Sequence, residues 1–237
     1  HANGSAIYDF DGLIDDARIY NRALSADEIA NLASDNARAV DSITIDVVPL
    51  NDAPVFGSDG DGSTTLPIPG SLFDLGFSSV VQTDGKIVMV GSSYFADNDI
   101  TVVRFHTNGE LDLTFGGGDG IATLDAGGSE LAVDVALQSD GKIVVFGSSD
   151  NDLLVARFTV AGVLDATFDS DGYAITDVNG IDSASEIAIQ SDGKIVVAGN
   201  TDAGGNNFSV VRYNTDGTLD TTFSGDGKVE IDFGASS

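Results

Sequence analysis

A ten-residue phrase occurs three times in this chain: QTDGKIVMVG from Gln82 to Gly91, QSDGKIVVFG from Gln138 to Gly147 and QSDGKIVVAG from Gln190 to Gly199. The copies lie 56 and 52 residues apart. Each is followed by a second recurring block, from Arg104 to Gly120, Arg157 to Gly172 and Arg212 to Gly227. A period of this length restricts the chain to architectures in which one supersecondary unit cannot bury its own face and stacks on its neighbours.

Within one copy the strands are legible. Ala132 to Leu137 alternates as a half-buried strand does, Asp140-Gly141 supplies a two-residue hairpin turn, and Ile143 to Phe146 returns. Leu153 to Thr159 reads as a third strand and Tyr173 to Asp177 as a short fourth. Four short antiparallel strands per period are what a propeller blade requires. The expected fold is therefore all-β, with tandem four-stranded antiparallel blades in β-propeller-like repeats at residues 71–124, 125–179 and 180–235 of a 71–237 domain. Propellers have four to eight blades, so three do not close a ring. Further repeats, or neighbouring copies, are expected to complete the structure.

The two blocks resemble the delta-60 repeat, whose pattern is close to DGKIVVAG followed by an Arg-aromatic strand and LDTTFGGDG; the likeness runs over residues 77–235. That repeat occurs in very large bacterial exported and surface proteins. The resemblance implies a structural repeat without assigned catalytic residues.

The cations follow the repeat. From residue 57 onward seven residues are basic, and six hold repeat-fixed places: Lys86, Lys142, Lys194, Arg104, Arg157 and Arg212. That region carries 28 acidic side chains, so each retained cation is expected to serve a fixed carboxylate rather than a binding face. Arg104 and Asp112, Arg157 and Asp165, and Arg212 and Asp220 share a spacing of eight, which suggests a bidentate Arg to Asp pair closing each blade. Phe105, Phe158 and Tyr213, with Phe115, Phe168 and Phe223, recur as core.

The first 70 residues read differently. Ser25-Ala26-Asp27-Glu28 is a capping box ahead of apolar positions Ile29, Ala30, Leu32 and Ala33, which predicts one short helix. Phe10 to Ala23, FDGLIDDARIYNRA, resembles the C-terminal end of a LamG or concanavalin-like jelly roll, so residues 1–40 are expected to be the remnant of such a domain. Ser42 to Phe56, SITIDVVPLNDAPVF, is similar to the terminal strand and linker of cadherin-like modules; that resemblance implies Ca²⁺ ligand roles for Asn51 and Asp52. All four prolines lie between residues 49 and 69, and residues 41–70 read as a strand plus a Pro/Gly/Asp linker.

Composition excludes several chemistries. A net charge of -28 repels nucleic acid, and the absence of Cys removes disulfides, thiolate metal sites and a Cys nucleophile. No apolar run approaches the roughly 18 residues of a membrane-spanning helix, and no membrane insertion is expected. Asp outnumbers Glu 33 to 5, which places the charge in turns. The D-x-D spacings at Asp59/Asp61 and Asp169/Asp171 set two carboxylates on a tight loop, an arrangement suited to Ca²⁺, and calcium is the expected cofactor. Gly116-Gly117-Gly118 lacks the Lys and Ser/Thr of a phosphate loop, and His106 stands where the other copies have Thr159 and Asn214, as a surface turn residue would. No Trp is present to form a sugar platform or a sialidase-type box, leaving Tyr94, Phe95, Tyr173 and Tyr213. The expected function is a non-catalytic structural or adhesive module of a large exported bacterial surface protein or extracellular filament. Its expected partners are other copies or other domains of the same protein, with surface glycans as a further class and nucleic acid excluded. The alternatives are a propeller that binds a glycan or small ligand, and a propeller hydrolase.

Overall fold

The computed structural model describes residues 66, 68–202 and 206–232. The expected helix, the jelly-roll remnant at 1–40 and the strand at Ser42 to Val48 lie outside these residues. The described region is all-β: twelve strands in three separate four-stranded antiparallel sheets, with no helix among the described residues. The first sheet holds β1 (Phe73–Val81), β2 (Ile87–Tyr94), β3 (Asn98–Phe105) and β4 (Ile121–Leu124). The second holds β5 (Glu130–Leu137), β6 (Ile143–Ser149), β7 (Asp152–Phe158) and β8 (Tyr173–Thr176). The third holds β9 (Asp182–Ile189), β10 (Ile195–Asp202), β11 (Asn206–Tyr213) and β12 (Lys228–Ile231). In each sheet the strands pair in sequence order, the up-and-down meander of a propeller blade.

The recurring phrase makes the first hairpin. Its β-branched run, Ile143-Val144-Val145 in the second blade, packs on both faces and reads as continuous apolar sequence because the blade is covered from both sides. The turn differs from the two-residue form expected. Gln138 N donates to Lys142 O, so Ser139, Asp140 and Gly141 form a three-residue loop. Gly141 alone takes the left-handed conformation, at φ 84°. Asp140 stays out of it because its carboxylate accepts the Lys142 N–H at 3.2 Å, which favours a type I turn followed by glycine.

The glycine that ends the phrase has a different cause. Opposite it the first strand carries a bulge, between Gly76 and Ser78, between Ala132 and Asp134, and across from Ala198/Gly199. A Cβ at Gly91 or Gly147 would stand 1.9 Å from the carbonyl oxygen of Leu75 or Leu131, so no other residue fits the close approach.

Blades pack face to face. Val88, Val90, Ile100 and Val102 of the first blade bury against Val135, Ile143, Val145 and Phe158 of the second. Val144, Phe146, Leu153 and Val155 on the opposite face of that blade bury against Ile187, Ile195, Val197 and Tyr213 of the third. Asp134 on β5 joins all three, accepting from Ser78 Oγ at 2.8 Å and from Ile187 N at 3.1 Å. The outermost faces are only partly covered: on the first blade Ile68 buries Val103, Phe105 and Ile121, yet Met89 is 38% exposed, whereas Val145 and Val197 at the same repeat position are both 0% exposed.

Candidate functional site

Every blade carries Leu-Asp-x-Thr-Phe within its second block, and the aspartate gathers charge. Asp112 Oδ2 accepts from Arg104 Nε at 2.8 Å and from Lys86 Nζ at 2.9 Å, while Oδ1 takes the Thr114 N–H at 3.0 Å and its hydroxyl at 2.6 Å. Asp165 repeats this with Arg157, Lys142 and Thr167, and Asp220 with Arg212, Lys194 and Thr222. The guanidinium carbon of each arginine lies over the next phenylalanine, 4.6 Å from Phe115, 4.8 Å from Phe168 and 4.7 Å from Phe223. The expected Arg to Asp pair is present but is not bidentate: only Nε meets the carboxylate, while Nη2 turns to Thr114, Thr167 or Thr222, because the lysine is a second cation on the same oxygen and Thr holds the other. All six repeat-fixed cations thus converge on three carboxylates.

Burial alone would push the Asp112 and Asp165 carboxyls up. Hydrogen bonds from Thr and Lys, with the arginine charge, outweigh it and hold both well below the usual carboxylate range. Asp220 is held low chiefly by Lys194 and then Thr222. A carboxylate so saturated is no general base. The cluster acts as a clasp.

The clasp also reaches into the next blade. Arg104 Nη1 donates to Val160 O, and Arg157 Nη1 donates to Thr215 O. Beside these contacts, Gly116 N donates to Ala161 O and Asp169 N to Asp216 O. Gly162 sits on the Phe115 ring of the preceding blade, where a Cβ would stand 2.7 Å away, and Gly217 sits likewise on Phe168 at 3.0 Å. Arg212 belongs to the last blade, and its side chain is 21% exposed, against 5% for Arg104 and 6% for Arg157.

A second set of carboxylates lies at the other end of the junctions. Asp99, the second residue of β3, Asp125, just past β4, and Glu130, which opens β5, each place one oxygen within 4.8 Å of the others. Asp152, Asp177 and Asp182 do the same one blade later. Burial, then the charges of Asp125, Asp97 and Glu130, push Asp99 up to about 6. Burial and the charges of Asp177, Asp182 and Asp150 raise Asp152 as well.

Of the expected Ca²⁺ ligands, Asn51, Asp52, Asp59 and Asp61 lie outside the described residues. Asp169 and Asp171 are both exposed in the loop before β8, where Asp171 Oδ1 accepts the Tyr173 N–H at 3.3 Å. His106 is a surface residue with 43% of its side chain exposed, 3.6 Å from Asp112 Oδ1. Tyr94 stacks on Phe73, ring centroids 5.0 Å apart. The two carboxylate triads went unnoticed in the sequence because their members are far apart along it and belong to two blades. The signal was the repeat itself: Asp74, Glu130 and Asp182 share one repeat position, and Asp125, Asp177 and Asp232 another.

A family profile described as "Domain of unknown function (DUF5122) beta-propeller" matches residues 82–115, 138–168 and 190–223. No curated protein matches the chain. Among solved structures, a protein of unknown function from Bacteroides caccae is similar at 13% identity and TM-score 0.40, over 63% of this chain and 44% of that one. A catalytically inactive virginiamycin B lyase from Staphylococcus aureus with quinupristin is similar at 17% identity and TM-score 0.36, over 62% of this chain and 40% of the lyase. The selenomethionine form of that lyase gives 15% identity and TM-score 0.35, over 61% and 43%. The chain spans less than half the length of these structures. With three matched segments falling on three four-stranded meanders, the chain is a propeller-like β-repeat protein.

Proposed function

We propose that the chain is a non-catalytic structural or adhesive module of a large exported bacterial surface protein or extracellular filament, in which blades are fastened in series. The observation that carries this reading is that the recurring charged residues serve junctions. Arg104 and Arg157 each bind a carbonyl of the following blade, and the one cation outside the repeat-fixed set, Lys228, also reaches across, its Nζ donating to Asp177 O of the preceding blade at 3.0 Å. Junction positions are less covered at both ends of the three blades: Met89 on the first, beside the Ile68 contact with Val103, Phe105 and Ile121, and Arg212 and half-buried Phe223 on the last. Open apolar junction faces suit a further blade, from the same polypeptide or from another copy, better than a small polar ligand. Antibodies raised against the three blades test the location. Labelling of intact, unpermeabilised producing cells, lost after mild protease shaving, is the expected result. Labelling only after lysis would overturn the surface reading.

A further inference from the structure

The two carboxylate triads are places where this fold gathers negative charge that no described cation answers. Among the described residues, no Lys, Arg or His forms an ion pair with Asp99, Asp125, Glu130, Asp152, Asp177 or Asp182, in contrast to the doubly paired clasp aspartates. In each triad one carboxylate is fully buried and half-satisfied. Glu130, 0% exposed, has Oε1 fixed by Gly128 N at 3.0 Å and Ser149 Oγ at 2.8 Å, while its Oε2 is buried without a hydrogen-bond partner. Asp182, 3% exposed, has Oδ2 fixed by Val178 N at 2.7 Å, and its Oδ1 is likewise buried and unpartnered. Asp99 Oδ1 completes the pattern in the first triad. Burying an ionised carboxylate oxygen with nothing to meet it is costly unless a cation does so.

The geometry suits such a cation. Oxygens bound to one Ca²⁺ at 2.3–2.6 Å lie within roughly 5 Å of each other. The 4.8 Å limit within which each triad falls is of that size. Oxygen-only donors select a hard ion over a soft one. Asp125 and Asp177 are exposed, which gives an entry path and room for water to complete the shell. The arrangement is built twice at the same repeat positions, each time with ligands from two successive blades.

We infer that each blade junction is a binding site for a hard divalent cation of the calcium class, held by Asp99, Asp125 and Glu130 at the first junction and by Asp152, Asp177 and Asp182 at the second. The ion ties the third strand and the end of one blade to the first residue of the next, at the opposite end from the arginine clasp. This inference does not rest on the surface-module reading, which cell labelling tests by itself.

The experiment is isothermal titration of the chelator-treated full chain with CaCl₂, alongside thermal melts with and without the ion. Two Ca²⁺ per chain are expected, with a melting temperature that rises on addition. Asp125→Asn should weaken one site at least tenfold and Asp177→Asn the other. Both positions are exposed, so neither substitution threatens the fold, and the double variant should lose both sites and the thermal shift. No binding and no shift up to about 10 mM Ca²⁺, beyond the range of weak extracellular calcium modules, would overturn the inference. Two ions still bound by the double variant would overturn it too, and would direct attention to Asp169 and Asp171.

Discussion

Arg157→Ala separates a blade-to-blade fastening from an ordinary surface ion pair. The substitution removes the 2.8 Å bond to Asp165, the bond to Thr215 O of the third blade, the 3.0 Å bond to Thr167 and the cation over Phe168. Removing one partner of a buried ion pair costs about 3–5 kcal/mol. Lys142 remains 3.0 Å from the same Asp165 oxygen, so the carboxylate is not left alone. The lower end, about 3 kcal/mol, is therefore expected. At about 2–4 °C per kcal/mol for a domain of this size, the melting temperature should fall by about 6–12 °C. Arg212→Ala is the internal control. Arg212 makes the same pair with Asp220, is four times as exposed as Arg104, and reaches no carbonyl of another blade among the described residues. Partly exposed pairs contribute about 1 kcal/mol or less, which sets its expected loss at about 2–4 °C. Thermal melts followed by circular dichroism at pH 7 measure both. A parent-like melting temperature for Arg157→Ala, or an equal loss for the two variants, would refute the cross-blade role.

Three further outcomes follow from the same geometry. Gly147→Ala forces a Cβ onto Leu131 O and should cost roughly 3 kcal/mol, read as a lower urea midpoint with unchanged slope. Phe168→Ala, at a fully buried ring, should cost about 3–5 kcal/mol, and Phe223→Ala, at the half-buried equivalent, less than half of that in the same titration. The clasp carboxyls are held below their unfolded value near 4, so the folded chain binds fewer protons than the unfolded one in acid. The stability they contribute is complete above that value and is lost as pH falls below it, and Asp165→Asn should flatten that part of the melting temperature against pH.

The strands were legible because their signals are local. The β-branched run after each DGK turn, its Asp and Gly, and the alternation before it fix a hairpin without reference to the rest of the chain. Arg157 and Asp165 were also legible, since a spacing of eight survives in all three copies. What escaped depends on turn geometry and on contacts between strands and between blades. The turn at Gln138 to Lys142 takes three residues because Asp140 caps Lys142 N, a preference between turn types that composition does not separate. Gly147 is required by a bulge on a different strand, and Gly162 by a phenylalanine of the preceding blade. Lys142 was expected to serve a fixed carboxylate, but only the folded hairpin shows that the carboxylate is Asp165. Asp99, Asp125 and Glu130 meet only when two blades stack, so no window of sequence shows them together.

The central claim is that the outer faces of the first and last blades are junction surfaces, covered in the working protein as Val145 and Val197 are covered within it. Native mass spectrometry of the protein isolated from the cells that make it tests this most directly. A species well above 24.3 kDa, whether one longer chain or several copies, is the expected result. A stable species of 24.3 kDa, with Met89 and Arg212 open to solvent, would contradict it.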